Sequence, residues 1–266
     1  MSSLKHALNK ISAVVVTGGS SGIGASFIAS ISKLGDNLRI CNLSRSEPEK
    51  KFLDAGVVHI PCDLSLGQEI ERIVPQLQDF LAQTPEGQVL LINNSGFGSY
   101  GDFHAADREN QVSMCDLNIR ACVDLAHRLL PSILKRGGGI INIASIASFQ
   151  PTPLMTTYGA TKAFIQSWSL GLSDELKDKG VKVLCVCPGP TESNFFHAAG
   201  YTESQIKYGQ TAEQVVDETF KAYAKGKWIV TTGILNKLSV GISSKLPRVL
   251  VAKLAGATLR KVRAQK

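Results

Sequence analysis

One stretch near the start of the chain decides the fold: Val14-Val15-Val16-Thr17-Gly18-Gly19-Ser20-Ser21-Gly22-Ile23-Gly24. The β-branched run predicts a buried strand, the glycines predict a tight turn, and the residues from Gly22 onward predict an amphipathic helix. Gly18 can adopt backbone angles closed to other residues, while Gly22 and Gly24 let a pyrophosphate approach the helix start. The N–H groups at that end of a helix favour phosphate. We therefore expect a phosphate-binding turn, although the glycines alone are equally compatible with a plain strand-to-helix turn.

Two other motifs compete for the same glycines. A P-loop has a lysine after its glycines, and none follows here, so that pattern fails. Residues Gly18 to Gly22 also satisfy G-x-S-x-G, the nucleophile turn of α/β-hydrolases, with Ser20 as the nucleophile. That turn would lie on the first strand, and no downstream acid and histidine stand out as its partners. A serine hydrolase is thus a remote alternative.

Short apolar runs alternate with longer amphipathic stretches along the whole chain. The runs that predict strands are Ala13–Val16, Leu38–Leu43, Val57–Ile60, Val89–Ile92, Ile140–Ala144, Val181–Cys187 and Trp228–Val230. Because these runs are continuous, the strands should be buried on both faces, as parallel strands are. We expect one α/β domain over residues 1–266, a doubly wound parallel sheet of about seven strands with helices on both faces. Its longest irregular segment is expected near residues 188–210.

The composition is that of a globular protein. The 266 residues are 44% hydrophobic and 19% charged, which disfavours a disordered chain or a disulfide scaffold. The apolar runs are far shorter than the roughly 20 residues of a membrane-spanning helix. Residues 1–9 lack the pattern of a secretion signal. We therefore expect a cytoplasmic protein without a membrane span.

The six cysteines are expected to be reduced and buried, because a chain of this length needs no covalent cross-links. Alternation places Cys185 and Cys187 on one strand face, and Cys115 and Cys122 lie a heptad apart on one helix face. No C-x-x-C or H-x-x-x-H spacing supports a metal centre. We predict no metal site.

Positive charge is concentrated at the end of the chain. Lys and Arg number 29 against 22 Asp and Glu, a net charge of +7, and residues 245–266 contain no acid. The apolar residues of this basic tail could line one side of a helix, so an anionic membrane surface or a nucleic acid is a candidate partner. We favour a solvated basic helix, because nothing elsewhere adds a nucleic-acid motif. No nucleic-acid partner is predicted, and a weak peripheral membrane contact through the tail is left open.

A second constellation lies in the middle of the chain. Tyr158 and Lys162 are four residues apart, one turn of a helix and on the same face. An ammonium near a phenol favours the phenolate, so Lys162 should lower the pKa of Tyr158 and make it a candidate general acid or base. Ser145 follows the fifth strand, where loops gather the site of such a sheet. Such a pair alone is more often a surface pair, but the phosphate-binding turn favours catalysis.

Taken together, these motifs resemble the short-chain dehydrogenase/reductase family over roughly residues 12–193. The family's T-G-x-x-x-G-x-G is Thr17 to Gly24 here, and its N-N-A-G is Asn93-Asn94-Ser95-Gly96, with serine in place of alanine. Its Tyr-x-x-x-Lys and Pro-Gly motifs correspond to Tyr158 with Lys162 and to Pro188-Gly189. The resemblance implies a Rossmann-type fold, an oxidoreductase that uses NAD(H) or NADP(H), a small carbonyl or alcohol substrate, and a homodimer or homotetramer.

The resemblance also implies residue roles. Ser145 would polarise the substrate carbonyl and Tyr158 would deliver the proton, while Lys162 binds the nicotinamide ribose and keeps Tyr158 acidic. Asn118 would hold a water of a proton relay, through its backbone carbonyl. The cofactor-binding residues that we predict are Gly18, Ser20, Ser21, Gly22, Ile23, Gly24, Ser44, Arg45, Asp63, Leu64, Asn94, Ser95, Gly96, Tyr158, Lys162, Pro188 and Gly189. Asp63 is expected against the adenine.

The residues after the second strand predict a preference for NADP(H) over NAD(H). Sites for NAD commonly place an acid there, against the ribose 2′-hydroxyl, whereas this strand runs into Ser44-Arg45-Ser46 with no acid before Glu47. A guanidinium can bind the 2′-phosphate through two hydrogen bonds. Arg45 as a solvated loop residue is the alternative.

The substrate is suggested only by aromatic and apolar residues. The segment after Pro188-Gly189 contains Phe195, Phe196, His197 and Tyr201, and Phe97, Phe149 and Met155 lie near the motif ends. They favour an apolar carbonyl compound, although each can equally be core packing. A cofactor-binding sensor or scaffold without turnover is the alternative from another functional class.

Overall fold

Seven strands form one sheet at the centre of the protein, in a computed structural model that describes residues 2–35, 38–191 and 209–264. The strands are β1 (Ile11–Thr17), β2 (Arg39–Ser44), β3 (Val58–Pro61), β4 (Gln88–Asn93), β5 (Gly138–Ile143), β6 (Val181–Cys187) and β7 (Ile229–Thr231). All neighbouring strands are parallel, in the order β3-β2-β1-β4-β5-β6-β7. The predicted sheet is confirmed, and each predicted strand is present.

Helices cover both faces of this sheet. They are α1 (Ser2–Leu8), α2 (Gly22–Ser32), α3 (Lys50–Asp54), α4 (Gly67–Ala82), α5 (Arg108–Cys115), α6 (Ala121–Arg136), α7 (Thr156–Leu176), α8 (Ala212–Ala224), α9 (Ile234–Ser243) and α10 (Arg248–Ala264). Helices α4, α6 and α7 pack on one face, and α1, α2, α3 and α8 pack on the other. Among the helices of the described residues, none has the length and apolar character that a membrane crossing requires.

Strand β1 shows why the apolar runs are continuous. Val14 and Val16 belong to the core on one face of the sheet, whereas Ala13 and Val15 belong to the core on the other. All four side chains are fully buried. A parallel strand at the centre of the sheet therefore needs an apolar residue at every position.

The order of the strands opens a crevice at the carboxyl edge of the sheet. Strands β1 and β4 are neighbours, but their connections run to opposite faces of the sheet. The chain passes from β1 to α2 on one face, and from β4 through α5 to α6 on the other face. Loops that diverge in this way leave a ligand-sized gap at the switch point. The glycine turn after β1 and the residues after β4 flank that gap.

One turn of π-helix, Asp116–Arg120, joins α5 to α6. In a regular α-helix, seven residues make nearly two turns, so Cys115 and Cys122 would share a face. A π-turn holds an extra residue and rotates the helix beyond it. Cys115 is accordingly exposed while Cys122 is buried, so the predictions of a shared face and of six buried thiols are wrong. Cys185 and Cys187 do share a strand face, with their sulfurs 3.8 Å apart.

Much of the predicted loop near residues 188–210 cannot be compared with the structure. Residues 192–208, which include Phe195, Phe196, His197 and Tyr201, lie outside the described residues. The predicted basic tail contains α10, and its apolar side chains are largely exposed.

Gly138, at the start of β5, has a φ of +126°, and a Cβ there would lie 1.9 Å from the carbonyl oxygen of Val89. We predict that Gly138→Ala lowers the free energy of unfolding by roughly 1–3 kcal/mol, because neither the backbone angle nor the neighbouring strand can adjust cheaply. Urea unfolding measures the change.

Gly171 provides the matched control, because it lies in α7 and a Cβ added there would have no neighbour within 4 Å. Gly171→Ala should stabilise the protein by about 0.5–1 kcal/mol, through helix propensity. Equal effects of the two substitutions would contradict the role given to Gly138.

Candidate active site

The turn after β1 has the shape that a phosphate group needs. Gly18 and Gly22 have φ angles of +68° and +55°, which favour glycine. A Cβ on Gly24 would lie 2.1 Å from the Gly18 carbonyl oxygen, so only glycine lets α2 begin this close to the turn. Ser21 at the N-cap makes no side-chain capping bond, and the first turn of α2 contains no acid. A pyrophosphate therefore fits against the amino end of α2.

Asn94 and Thr17 fasten the end of β4 to this turn. The Thr17 hydroxyl accepts hydrogen bonds from the backbone N–H groups of Asn94 and Ser95, both at 2.9 Å. The Asn94 amide donates to the carbonyls of Thr17 and Gly18, at 2.9 and 3.2 Å. Asn94 was predicted to bind the cofactor, but its amide hydrogens are directed to the backbone. It fixes the shape of the turn.

Asn42 supports the turn from β2 and was missed in the sequence. Its side-chain oxygen accepts from the N–H of Gly19 at 2.8 Å, and its amide donates to Ser44 Oγ at 2.8 Å. Ser44 donates in turn to the carbonyl of Ser46 at 2.7 Å. The Ser44 proton is thus used within the turn, which leaves Arg45 as the charged donor. An asparagine inside an apolar run was the available signal.

Arg45 and Asp63 lie together at the carboxyl ends of β2 and β3. The Arg45 side chain is 78% exposed, and its Nη1 lies 3.9 Å from Asp63 Oδ2. Asp63 accepts from the backbone N–H and the hydroxyl of Ser65, at 2.9 and 2.6 Å. Burial raises the pKa of Asp63, but these hydrogen bonds and the Arg45 charge outweigh it and hold that pKa below its ordinary value. Leu64 beside it is buried.

Ser145 and Tyr158 meet beyond the end of β5. Ser145 caps a short 3₁₀ turn, and its Oγ accepts from the N–H of Ala147 at 3.1 Å. Tyr158 lies in the first turn of α7 and is 9% exposed. Burial raises the pKa of Tyr158 to about 12, opposed by a hydrogen bond with Ser145. The prediction that the pKa of Tyr158 lies below its ordinary value is wrong, because burial outweighs the opposing effects.

Lys162 is a buried ammonium group one turn further along α7. Its side chain is 5% exposed, and its Nζ donates to the carbonyl oxygen of Ile143 at 2.8 Å. The same nitrogen lies 5.8 Å from the centre of the Tyr158 ring. Burial lowers the pKa of Lys162 to about 8. Tyr158 and Lys162 therefore lie one helical turn apart, as predicted, and both side chains are buried.

Asn118 lies in the π-turn, opposite Lys162. Its Oδ1 accepts from the N–H of Phe97 at 3.1 Å, and its Nδ2 donates to the Phe97 carbonyl and to Thr161 Oγ1, both at 3.0 Å. The side chain is therefore used to bind the segment after β4 to α7. A Cβ on Gly96 would lie 2.9 Å from Asn118 Oδ1 and 3.3 Å from Lys162 Nζ. Glycine at 96 keeps a narrow space open above both groups.

Some of these residues border a common cavity. A small cavity is bounded by residues of the turn, of β4, of the π-turn and of α7, among them Thr17, Ser95, Asn118, Cys122 and Lys162. Pro188 and Gly189 follow β6, and the Pro188 carbonyl accepts from the N–H of Ile146 at 2.9 Å, beside Ser145. Within the described parts of the chain, no group of three or more His, Cys, Asp or Glu is arranged to hold a metal ion.

Comparison with known proteins identifies the family. The family model described as short chain dehydrogenase matches residues 12–204. The chain belongs to the short-chain dehydrogenase/reductase family. The predicted family is confirmed, and with it a nicotinamide-dependent oxidoreductase.

Several relatives of this short-chain dehydrogenase are informative. An uncharacterized oxidoreductase of Staphylococcus saprophyticus is 31% identical over 190 residues, 67% of this chain and 78% of that protein. Hydroxysteroid dehydrogenase-like protein 1 of Gallus gallus is 28% identical over 222 residues, 80% of this chain and 66% of that protein. The solved short-chain dehydrogenase from Sphingobium yanoikuyae in complex with NADPH is 26% identical, with a TM-score of 0.74, covering 90% of this chain and 97% of that one.

The buried Lys162 predicts a pH dependence of stability in this dehydrogenase. Its pKa is about 8 when folded and 10.5 ordinarily, so between these values the unfolded chain holds a proton that the folded protein has lost. Stability contributed by this group therefore rises with pH across that window. The unfolding free energy of wild type relative to Lys162→Met should increase from pH 8 to pH 10.5, by up to about 3 kcal/mol.

Chemical denaturation at a series of pH values measures this difference. Lys179→Met, at an exposed position, serves as the control and should not reproduce the slope. If the difference in unfolding free energy between wild type and Lys162→Met does not change with pH across the window, then burial does not lower the pKa of Lys162.

Proposed function

We propose that this protein is an NADP(H)-dependent oxidoreductase that interconverts an apolar carbonyl compound and its alcohol, with Tyr158 as the general acid and base. The observation that carries the proposal is the meeting of Ser145, Tyr158 and Lys162 at the crevice flanked by the glycine turn. Ser145 caps the 3₁₀ turn after β5, and Tyr158 and Lys162 lie on successive turns of α7. A purely structural cluster would not require a buried ammonium there.

Proton transfer in the direction of reduction follows from this geometry. Ser145 Oγ accepts from Ala147 and is hydrogen-bonded with Tyr158; its hydroxyl would turn from Tyr158 to polarise the substrate oxygen. The raised pKa of Tyr158 keeps its hydroxyl protonated at neutral pH, which is the form that donates. The nicotinamide, when bound, supplies the hydride to the carbonyl carbon. Carbonyl, hydride and proton together give the alcohol and leave Tyr158 as phenolate.

Lys162 and Asn118 restore the starting state. The Lys162 ammonium stabilises the Tyr158 phenolate through its charge and binds the nicotinamide ribose. The side chain of Asn118 is already engaged by Phe97 and Thr161, which supports a role for its backbone carbonyl in holding a relay water. The π-turn at Asp116–Arg120 supports this role, since such turns often occur at functional sites.

We predict that Tyr158→Phe lowers turnover by about 100- to 10,000-fold, because only the proton-transferring hydroxyl is removed. Reduced cofactor should still bind, as measured by fluorescence titration. Ser20→Ala, at a residue predicted to contact the cofactor but not to transfer a proton, is the control and should be nearly silent by comparison. Near-normal turnover in Tyr158→Phe would remove Tyr158 from the mechanism, and loss of all activity in Ser20→Ala with intact cofactor binding would revive the serine hydrolase.

The preference for NADP(H) is proposed on the position of Arg45. Its guanidinium is largely exposed, and the ion pair that it makes among the described residues is a long one with Asp63; such surface pairs contribute little. Arg45 can therefore turn to a 2′-phosphate at the end of β2 without losing a strong partner. In the sequence, the two neighbours of Arg45 are serines, and the first acidic residue after β2 is Glu47.

Arg45→Ala is predicted to weaken NADPH binding by about 10- to 100-fold, because a charge-assisted contact contributes about 1.5–3 kcal/mol. NADH binding should change little, since it has no 2′-phosphate. Lys50→Ala, also exposed, removes the same charge five residues away and controls for general electrostatics. Isothermal titration calorimetry measures the dissociation constants of both cofactors. Tighter binding of NADH than of NADPH by wild type would overturn the proposed preference.

An apolar substrate is supported by the surroundings of Tyr158. Phe97 and Met155 are partly buried and pack against Tyr158 and Met114. Phe149 packs in a separate cluster with Cys122 and Ile165, so it supports the core more than the substrate. The name of the chicken relative, a hydroxysteroid dehydrogenase-like protein, is in keeping with a large apolar alcohol. Turnover of NADPH against ketones, aldehydes and acyl thioesters separates an enzyme from a sensor, which would bind NADPH and convert none.

Self-association and a cytoplasmic location complete the proposal. Val112 on α5, Leu134 on α6 and Phe164 on α7 are apolar and more than 40% exposed, as expected for helices that a second subunit covers. We predict that light scattering at micromolar concentration gives a multiple of 28.5 kDa, and that Leu134→Gln with Phe164→Gln lowers it. A wild-type monomer would contradict this. The six free cysteines fit a reducing compartment.

A further inference from the structure

Helices α9 and α10 carry exposed aliphatic side chains that belong to none of the hydrophobic cores formed by the described residues. We name it the aliphatic face, formed by Ile234, Leu235, Leu238, Ile242, Val249 and Leu254. Each of these side chains is more than half exposed, up to 75% for Ile234. Positions 234, 235, 238 and 242 lie on one side of α9, since their spacing matches the helical repeat. Exposed patches of this kind mark surfaces that bind a partner.

The opposite sides of these helices are fixed to the body of the protein. Lys237 on α9 pairs with Glu218 at 2.8 Å, and the Asn236 amide donates to the Thr232 carbonyl at 2.8 Å. On α10, Val251 is buried, and the Tyr100 hydroxyl donates to the Leu259 carbonyl at 2.5 Å. The aliphatic face is therefore not the face by which α9 and α10 dock. Each helix is anchored through residues other than those of the aliphatic face.

Charge decides which partner fits this face. Residues 234–266, from the start of α9, contain eight Lys and Arg and no Asp or Glu, and one of the eight, Lys237, is paired with Glu218. A second copy of the chain would bring two strongly positive surfaces together, which is unfavourable. A nucleic acid would match the charge but would leave the aliphatic side chains in water. An anionic lipid surface matches both the positive charge and the aliphatic side chains, because it offers phosphate groups above an apolar layer.

We propose that α9 and α10 seat the protein on an anionic lipid surface. The aliphatic face enters the boundary between headgroups and acyl chains, while Arg248 and Lys253 bind lipid phosphates. Lys253 lies between Val249 and Leu254 on α10, and its long stem can reach the headgroups from there. Each basic residue near such a surface adds to the affinity and makes it sensitive to salt. The favoured prediction of a merely solvated basic helix does not account for the aliphatic face.

This placement has a consequence for the proposed reaction, and that consequence alone rests on the proposed function. A Cβ on Gly256 of α10 would lie 3.2 Å from Pro153, which precedes the first turn of α7 and Tyr158. A Cβ on Gly189 would lie 2.3 Å from the Asn236 side chain of α9. Both helices thus border the two segments beside Ser145 and Tyr158. An apolar substrate dissolved in lipid would meet the site at the membrane surface.

Vesicle flotation of the full chain tests the proposal. The vesicles are phosphatidylcholine alone, or phosphatidylcholine with one quarter phosphatidylglycerol. Wild type should float with the anionic vesicles and be released as salt rises. Leu235→Gln with Leu238→Gln should lower the partition coefficient about ten-fold or more through lost apolar burial. Arg248→Glu with Lys253→Glu should lower it at least about ten-fold through charge.

The matched control is Leu66→Gln, compared with Leu238→Gln alone. Leu66 is 55% exposed, against 59% for Leu238, and it is the N-cap residue of α4. This variant should float like wild type. Thermal unfolding of every variant checks that the fold is intact, and none of these measurements depends on turnover.

Three results would overturn the proposal. The first is wild type that stays out of both kinds of vesicle. The second is binding that both double substitutions on α9 and α10 leave unchanged. The third is that the aliphatic face binds another copy of the chain or a nucleic acid, and not vesicles. In the first case Leu235→Gln with Leu238→Gln would reduce the oligomer mass in light scattering. In the second case wild type would retard the migration of duplex DNA in a gel.

Discussion

The site is organised around one buried ammonium group, that of Lys162. A charge with 5% exposure is stable only where fixed dipoles replace water, and the carbonyl of Ile143 at the end of β5 is such a dipole. Carbonyl groups meet at the carboxyl edge of a parallel sheet, so this edge is where a lysine from α7 can be buried. Tyr158 follows from the helical repeat, and Ser145 follows from the turn after β5.

The switch in strand order brings the second half of the site to the same place. Because β1 and β4 are neighbours, the glycine turn after β1 and the segment after β4 face each other. Thr17 and Asn94 join these segments through backbone hydrogen bonds, and glycine at 96 leaves space above Lys162 and Asn118. The glycine turn and the group of Ser145, Tyr158 and Lys162 thus lie along one edge of the sheet.

Most of this arrangement could be predicted from the sequence, because its signals are local. Strands buried on both faces require continuous apolar runs, and the pairing of Tyr158 with Lys162 requires only a helical spacing. The features that could not be predicted depend on packing. The raised pKa of Tyr158 comes from burial by distant segments, and the separation of Cys115 from Cys122 comes from a π-turn. The contact of Asn42 with the turn at Gly19 depends on how β2 packs beside β1, and the aliphatic face becomes visible only once α9 and α10 are docked.

The central claim is that this edge of the sheet transfers a hydride to a carbonyl carbon. The most direct test supplies the purified protein with NADPH that carries deuterium at both C4 positions of the nicotinamide, together with apolar ketones. Mass spectrometry of the product then locates the label. The account predicts an alcohol with one deuterium on the carbon that carried the carbonyl group. An alcohol without deuterium on that carbon, or bound NADPH that reduces none of the ketones, would contradict it.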